Sequence, residues 1–375
     1  MMTENAPRSA SSALPQDQFA PAYKVLSDAI DSRAFPGCSF GVLAGDRIVL
    51  QGALGRLTYD DTAELVKPET LYDIASLTKV VSTTAAAMLL AQRGVLDIDL
   101  PLGELLPGFV VGRPPAEHAR LVTIRNLLAH NSGLPGYVEL FRSAGPDELL
   151  RACLQLPLEA EPGARVEYSD IGFILLGKAL AVLTREPLGG WVSREVFNPL
   201  GLNATAFNPP RDAQRLIPPT EVDNALRHRR IQGEVQDEHA WLLDGVAGHA
   251  GLFSNVPDFL RFSKEILSAA QPESSGATLF VKETIDCFAE RQGPAGSSRA
   301  LGWDTPSENS SSGKYFSAES IGHLGYSGCS LWIDLKARIA VVLLTNRTWP
   351  DRQSQLIREV RPAFHNSVRE SMLRW

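Results

Sequence analysis

Ser76 and Lys79 stand three residues apart in Ser76-Leu77-Thr78-Lys79, a spacing that puts a hydroxyl and an ammonium on one face of a helix. Residues 69–75 read as an approach strand or turn, followed by a long apolar helix that stops at Gly94. Ser76 then lies in the first turn, where unpaired N–H groups and the positive end of the helix dipole favour an alkoxide or oxyanion. A serine hydroxyl becomes a nucleophile once a neighbour takes its proton or stabilises its anion, and a lysine at this distance can do either. Such a pair also arises by chance about once in a chain of this size, and Ser311 with Lys314 is a second copy. That copy lies in a Ser/Gly-rich run, 307–313, which reads as a flexible loop with no helix to aim the lysine. The plain alternative for Ser76 is an ordinary N-cap.

Two further motifs carry chemistry. Tyr168-Ser169-Asp170 falls in a turn before an apolar helix. The phenol there can take the serine proton and return it to a leaving group if cations lower its pKa. Otherwise it is a buried tyrosine ahead of an N-cap. In His323-Leu324-Gly325-Tyr326 the glycine allows close approach to a strand backbone, and an N–H just beyond it can donate to an oxyanion. Taken alone, that histidine reads as structural.

These residues need elements to hold them. The expected order begins with a disordered tail over 1–16 and an amphipathic helix over 17–32. Strands over 38–44 and 47–54 follow, joined by the hairpin turn Gly45-Asp46. Helices are expected over 168–185 and 188–197, and again over 256–269 and 281–291, with a proline-rich loop between at Pro209, Pro210, Pro218 and Pro219. Strands over 330–335 and 338–346 precede a last helix over 356–373, in which Pro362 predicts a kink or break. Strands at both ends with helices between predict an α+β fold: an antiparallel sheet flanked by helices, built from 17–93 and 252–375, with an all-helical domain, 94–251, inserted.

Composition excludes several classes. The 375 residues carry 44% hydrophobic and 21% charged residues and a net charge of −7, which argues against nucleic acid as a partner. The run Arg227-His228-Arg229-Arg230 is followed by Glu234, Asp237 and Glu238 and reads as a solvated, self-compensated surface. No apolar stretch is long enough for a transmembrane helix, and the first eight residues lack a signal-peptide core, so a cytoplasmic protein is expected. Cys38, Cys153, Cys287 and Cys329 are scattered and read as buried free thiols. His118 and His130 are too far apart for a helical metal pair, and His228 with His239 lacks further ligands. Neither metal nor cofactor is expected, and the oligomeric state stays open.

The order Ser-x-x-Lys, Tyr-Ser-Asp, His-x-Gly resembles the serine β-lactamase and penicillin-binding-protein-like superfamily. Within it the chain is most similar to the class C β-lactamase-related branch, which holds family VIII carboxylesterases and D-aminopeptidases. The segments Thr123–Pro135, Asn198–Leu202 and Gly248–Ser254 add to the resemblance, which runs from about Phe19 to the C-terminus. It implies an active site between the two domains, with Ser76 as the acyl-accepting nucleophile and Lys79 as its activating partner. It further implies Tyr168 as general base and the N–H groups of Ser76 and Tyr326 as the oxyanion hole. Arg125 and His130 belong to a segment read as structural.

The departures concern the substrate. His323-Leu324-Gly325 stands where class C β-lactamases carry Lys-Thr-Gly, removing partners for the carboxylate of β-lactams and D-Ala-terminated peptides. Leu324 offers an apolar surface that favours neutral esters. Asp170 replaces an asparagine; ionised, it cannot donate to a substrate carbonyl, but it can hold Lys79 or meet a substrate ammonium. The segment 233–241 is a candidate cleft wall, where Asp237 and His239 either touch substrate or serve the loop's own hydrogen bonds. The expected activity is a serine carboxylesterase on short- or medium-chain esters, working on a small-molecule substrate through an acyl-enzyme. The alternatives are an amide or peptide hydrolase with weak β-lactamase activity, an acyltransferase, or a non-catalytic sensor.

Overall fold

A computed structural model describes residues 16–113, 116–142, 145–271 and 278–373. The tail expected over 1–16 lies outside the described residues except for Gln16, which opens a short 3₁₀ turn, Gln16–Phe19.

The main sheet has five antiparallel strands in the order Arg47–Gly55, Gly37–Ala44, Ile339–Thr345, Ser330–Asp334, Ser320–Leu324. Both ends of the chain build it: Gly37–Ala44 pairs with Ile339–Thr345, from Cys38↔Thr345 to Ala44↔Ile339. The strand Ile339–Thr345 is apolar almost throughout because both of its faces are covered. Ile339, Val341 and Leu343 join one apolar cluster with Phe40, Phe364 and Val368. Ala340, Val342 and Leu344 join another with Leu43 and Leu260. The period-2 alternation of side chains thus divides one strand between two cores. Helices Ala20–Asp31 and Ile357–Leu373 cover the first face, and Val256–Ala269 the second.

Within 94–251 the described elements are helical as far as Leu200, with Asp170–Thr184 the longest. Beyond that, three short strands, Ala206–Phe207, Glu221–Asp223 and Arg229–Ile231, interrupt the expected all-helical run. Prolines 209, 210, 218 and 219 disfavour helix there.

Other expectations shift in detail. Pro362 lies inside the unbroken helix Ile357–Leu373, where burial of Phe364 and Val368 against the sheet outweighs the lost backbone bond. Arg227 belongs to no solvated surface: its side chain is buried against Asp223 and the carbonyls of Val235 and Gln236, because those three acceptors replace its hydration. Arg229 does pair with Glu234 in the open. Cys38, Cys153 and Cys329 are buried free thiols, while Cys287 is half-buried.

Candidate active site

Ser76 sits in a 3₁₀ turn, Ala75–Leu77, directly after the short strand Tyr72–Asp73. The expected regular helix begins instead with a wide π turn, Lys79–Thr84, and becomes α-helical over Ala85–Gln92. Ala75 is held at φ +47°, the left-handed region, with its N–H donated to Asp73 Oδ1 at 2.8 Å. That strained position, which costs a non-glycine residue about 1 kcal/mol or more, presents Ser76 to an open cleft of about 870 Å³.

Lys79 is fully buried beneath the serine. Its Nζ donates to Ser76 Oγ at 2.9 Å, to Asp170 Oδ1 at 2.6 Å and to the carbonyl of His249 at 3.2 Å. Burial pulls its pKa down, but Asp170 and Tyr168 outweigh burial and hold the ammonium above its ordinary range. Tyr168 lies with its ring centroid 4.8 Å from the same Nζ. Burial raises the phenol's pKa, Lys79 lowers it, Asp170 raises it again, and the net direction is up.

The position of Tyr168 follows from the cap behind it. Ser169 caps helix Asp170–Thr184 by accepting from Gly172 N at 3.0 Å, and its hydroxyl donates to Pro135 O at 2.6 Å. The N–H of Ser169 donates to His130 Nδ1 at 3.0 Å, and the His130 ring lies 4.5 Å from that of Tyr168. His130 is therefore the seat of the tyrosine. Arg125, from the same segment, pairs with Asp99 at 2.6 Å, away from the cleft.

The third motif forms the opposite wall. His323 is buried on the edge strand Ser320–Leu324, its Nδ1 2.9 Å from Leu324 O. Burial, then Lys79 and Arg299, push its pKa well below the ordinary histidine range, so it carries no charge. Leu324 lines the cleft. A Cβ on Gly325 would lie 2.5 Å from Ile74 O, so only glycine lets this loop approach the turn that carries Ser76. Tyr326 is exposed at the cleft edge. Neither its N–H nor that of Ser76 donates to another described residue. Two arginines brace the loop from behind: Arg361 donates to the carbonyls of Gly325 (2.6 Å), Cys329 (2.9 Å) and Gly328 (3.1 Å), and Arg347 to that of Tyr326 (2.8 Å).

Asp237 and His239 part company. Asp237 lines the cleft while capping helix Glu238–Leu242 through Ala240 N (2.8 Å) and bonding His249 Nε2 (2.7 Å). Burial opposes its ionisation, but His249 and the N–H bond hold its carboxyl below the usual range. His239 is buried against Tyr137, accepts from Leu140 N at 3.1 Å, and is not among the cleft residues. The sequence suggested only His228 as its companion; the structure instead brings it beside Asp237 and His249, with ligand atoms within 4.8 Å of one another. Oδ1 of Asp237 takes part in both of its hydrogen bonds, with Ala240 N and with His249 Nε2. The rival pair has no such setting: Ser311 accepts from Trp332 Nε1 at 3.1 Å, and Lys314 is exposed.

Sequence reasoning missed three contributors. His249 lies in the quoted segment Gly248–Ser254, but nothing marks its carbonyl as a lysine acceptor. Arg361 and Arg299 belong to no motif, and only the fold brings them to the cleft.

Comparison with known proteins gives the chain's relatives. The chain is 30% identical over 346 residues to the N-acetylmuramyl-L-alanine amidase of Bacillus subtilis (strain 168), covering 84% of this chain and 77% of that protein. Its fold matches EstCE1, a hydrolase with promiscuous acyltransferase activity, at a TM-score of 0.74 and 21% identity, over 93% of this chain and 99% of that one. It also matches a penicillin-binding protein homolog from Caulobacter crescentus at a TM-score of 0.74 and 16% identity, over 96% and 99% of the two chains. The family model for beta-lactamase matches residues 23–362. The chain belongs to the beta-lactamase family and is a serine hydrolase of that type.

Proposed function

We propose that the chain hydrolyses carboxylic esters of small molecules through an acyl-enzyme on Ser76. The observation that carries this reading is the buried Lys79 ammonium, fixed by Asp170 and the His249 carbonyl while it donates to Ser76 Oγ at 2.9 Å. With that donor in place, and once the phenol has lost its own proton to solvent, the serine's proton is free to pass to the Tyr168 phenolate, and the alkoxide forms beside a positive charge. Attack of Oγ on the acyl carbon yields a tetrahedral oxyanion, for which the uncommitted N–H groups of Ser76 and Tyr326 are the donors. Tyr168 returns the proton to the leaving oxygen, and water repeats the sequence on the acyl-enzyme.

The ester preference rests on two residues. Asp170 is engaged with Lys79 at 2.6 Å, the use that suits an esterase rather than capture of a substrate ammonium. Leu324 and the uncharged His323 leave the third motif apolar. A second reading, hydrolysis of an amide, is favoured by the arginines along the cleft, which suit a carboxylate-bearing peptide, and by the likeness to an amidase. Turnover of p-nitrophenyl butyrate above a Ser76→Ala control is the expected result, and its absence would sink the ester reading. A D-alanine p-nitroanilide and nitrocefin, run in parallel, rank the amide and β-lactam alternatives. A fluorophosphonate adduct mapped by mass spectrometry is expected on Ser76; an adduct on Ser311 would refute the nucleophile.

A further inference from the structure

The two N–H groups proposed for the oxyanion come from opposite ends of the chain, and one buried residue bonds to the support of each. Asp73 ends the short strand Tyr72–Asp73 and is 2% exposed. Its carboxylate is divided between two segments: Oδ1 accepts from Ala75 N at 2.8 Å, and Oδ2 from Gln236 N, on the cleft wall, at 2.7 Å. Its main-chain carbonyl accepts from Ser327 Oγ at 2.7 Å. No cation pairs with Asp73 among the described residues. Arg227, from the same wall, directs its guanidinium to Asp223 and to the carbonyls of Val235 and Gln236 instead. A carboxylate buried without a counter-ion works against stability, and what this one holds lies in the site.

We infer that Asp73 is a positioning residue for the reaction: its side chain aims the Ser76 N–H, and its carbonyl, through Ser327, aims the Tyr326 N–H. This rests on the acyl-enzyme reading given above. The bond to Ala75 N holds that residue at φ +47°, and the next peptide along the chain carries the Ser76 N–H. Ser327 follows Tyr326 in a turn that Gly328 N closes by donating to Gly325 O at 3.0 Å. The bond from Ser327 Oγ therefore sets how the Tyr326 N–H stands against the turn of Ser76. An oxyanion needs both donors within about 3 Å of one point, and Asp73 is bonded on both sides of that point. Asparagine at this position offers one oxygen where two are used, and its amide would meet an N–H with another N–H. Alanine at 327 breaks the bond to the loop alone.

A matched pair of substrates tests this on the full chain: p-nitrophenyl butyrate and its thionoester, in which sulfur replaces the carbonyl oxygen. Sulfur accepts hydrogen bonds weakly, so the ratio of kcat/KM for the oxygen ester to that for the thionoester reads the oxyanion donors. Any unfolded fraction, and any change at Lys79 or Tyr168, acts on both substrates and cancels. The parent is expected to prefer the oxygen ester by roughly a hundredfold, the scale of one oxyanion donor. Asp73→Asn and Ser327→Ala are each expected to lower that preference roughly tenfold, by displacing a donor without removing it. Should Asp73→Asn fail to fold, Ser327→Ala decides alone. A preference within about twofold of the parent's in either variant would overturn the role of Asp73. A parent without the preference would instead overturn the oxyanion donors, and hydrolysis that survives in Ser76→Ala the nucleophile; the inference falls with either.

Discussion

Asp170 decides how Lys79 behaves. Its carboxylate lies 2.6 Å from an ammonium with no solvent exposure, and together with Tyr168 it keeps that ammonium charged against the cost of burial. Asp170→Asn preserves the shape but removes the charge, so the lysine loses its main anchor beneath Ser76. A drop in kcat for p-nitrophenyl butyrate of roughly tenfold to a hundredfold is expected, the usual cost of misplacing a catalytic group; unchanged kinetics would remove the role. The phenol makes a second prediction. Because burial and Asp170 lift Tyr168 above the ordinary tyrosine range despite Lys79, the free enzyme holds it protonated at neutral pH. A base that must first lose a proton gains active fraction about tenfold per pH unit below its pKa. The kcat/KM profile should therefore climb from pH 7 to beyond pH 9. No break is expected near pH 6.5, since burial has already driven His130 and His323 well below that value. A plateau reached by pH 8 would show that another group is the base.

At the scale of elements, the loop proposed to hold the oxyanion depends on a helix far away in sequence. Arg361, on Ile357–Leu373, is the common donor to three carbonyls of the segment 325–329, and hydrogen bonds from a charged donor contribute about 1.5–3 kcal/mol each. Arg361→Gln cannot reach all three. It should lower the melting temperature by several degrees and reduce kcat more than it raises KM, because the Tyr326 N–H is displaced from the oxyanion rather than from the ground state. A variant with parental kcat would confine Arg361 to stability. None of this was readable in advance: a single arginine in an amphipathic helix carries no signal of what it touches. The same limit applies to Ala75, whose left-handed φ comes from the Asp73 bond and not from its own preference. What was legible depended on local rules. The Gly45-Asp46 hairpin, the Ser169 cap and the long apolar helix after it follow from turn and cap chemistry. The π turn at Lys79 and the intact helix through Pro362 do not, since packing decided both.

Across the whole molecule, the site depends on two distant segments converging behind Lys79. The loop 245–251 supplies carbonyls to Lys79 from His249 and to Thr83 Oγ1 from Gly248, the latter at 2.6 Å. Leu252 N donates to Thr78 Oγ1 at 3.1 Å, tying the far end of the same loop to the turn after the serine. Helix Asp170–Thr184 closes the other side, and there the backbone fit is extreme. A Cβ on Gly248 would lie 2.1 Å from Phe173 O and 3.0 Å from Gly177 Cα, so backbone itself must move to admit a methyl group. Gly248→Ala should push the loop off the helix, lengthen the Lys79–His249 contact and open the seat of Asp170. The overpacking is expected to cost roughly 1–3 kcal/mol or more, seen as a melting temperature lower by several degrees. Esterase activity is expected to fall at least tenfold at temperatures where the variant is still folded. Gly201→Ala is the companion measurement: its φ of +64° ends a helix and its Cβ would meet nothing within 4 Å, so strain alone should lower stability while activity stays intact. If both variants lost stability and activity in the same proportion, the convergence at Gly248 would be general packing and not the support of Lys79.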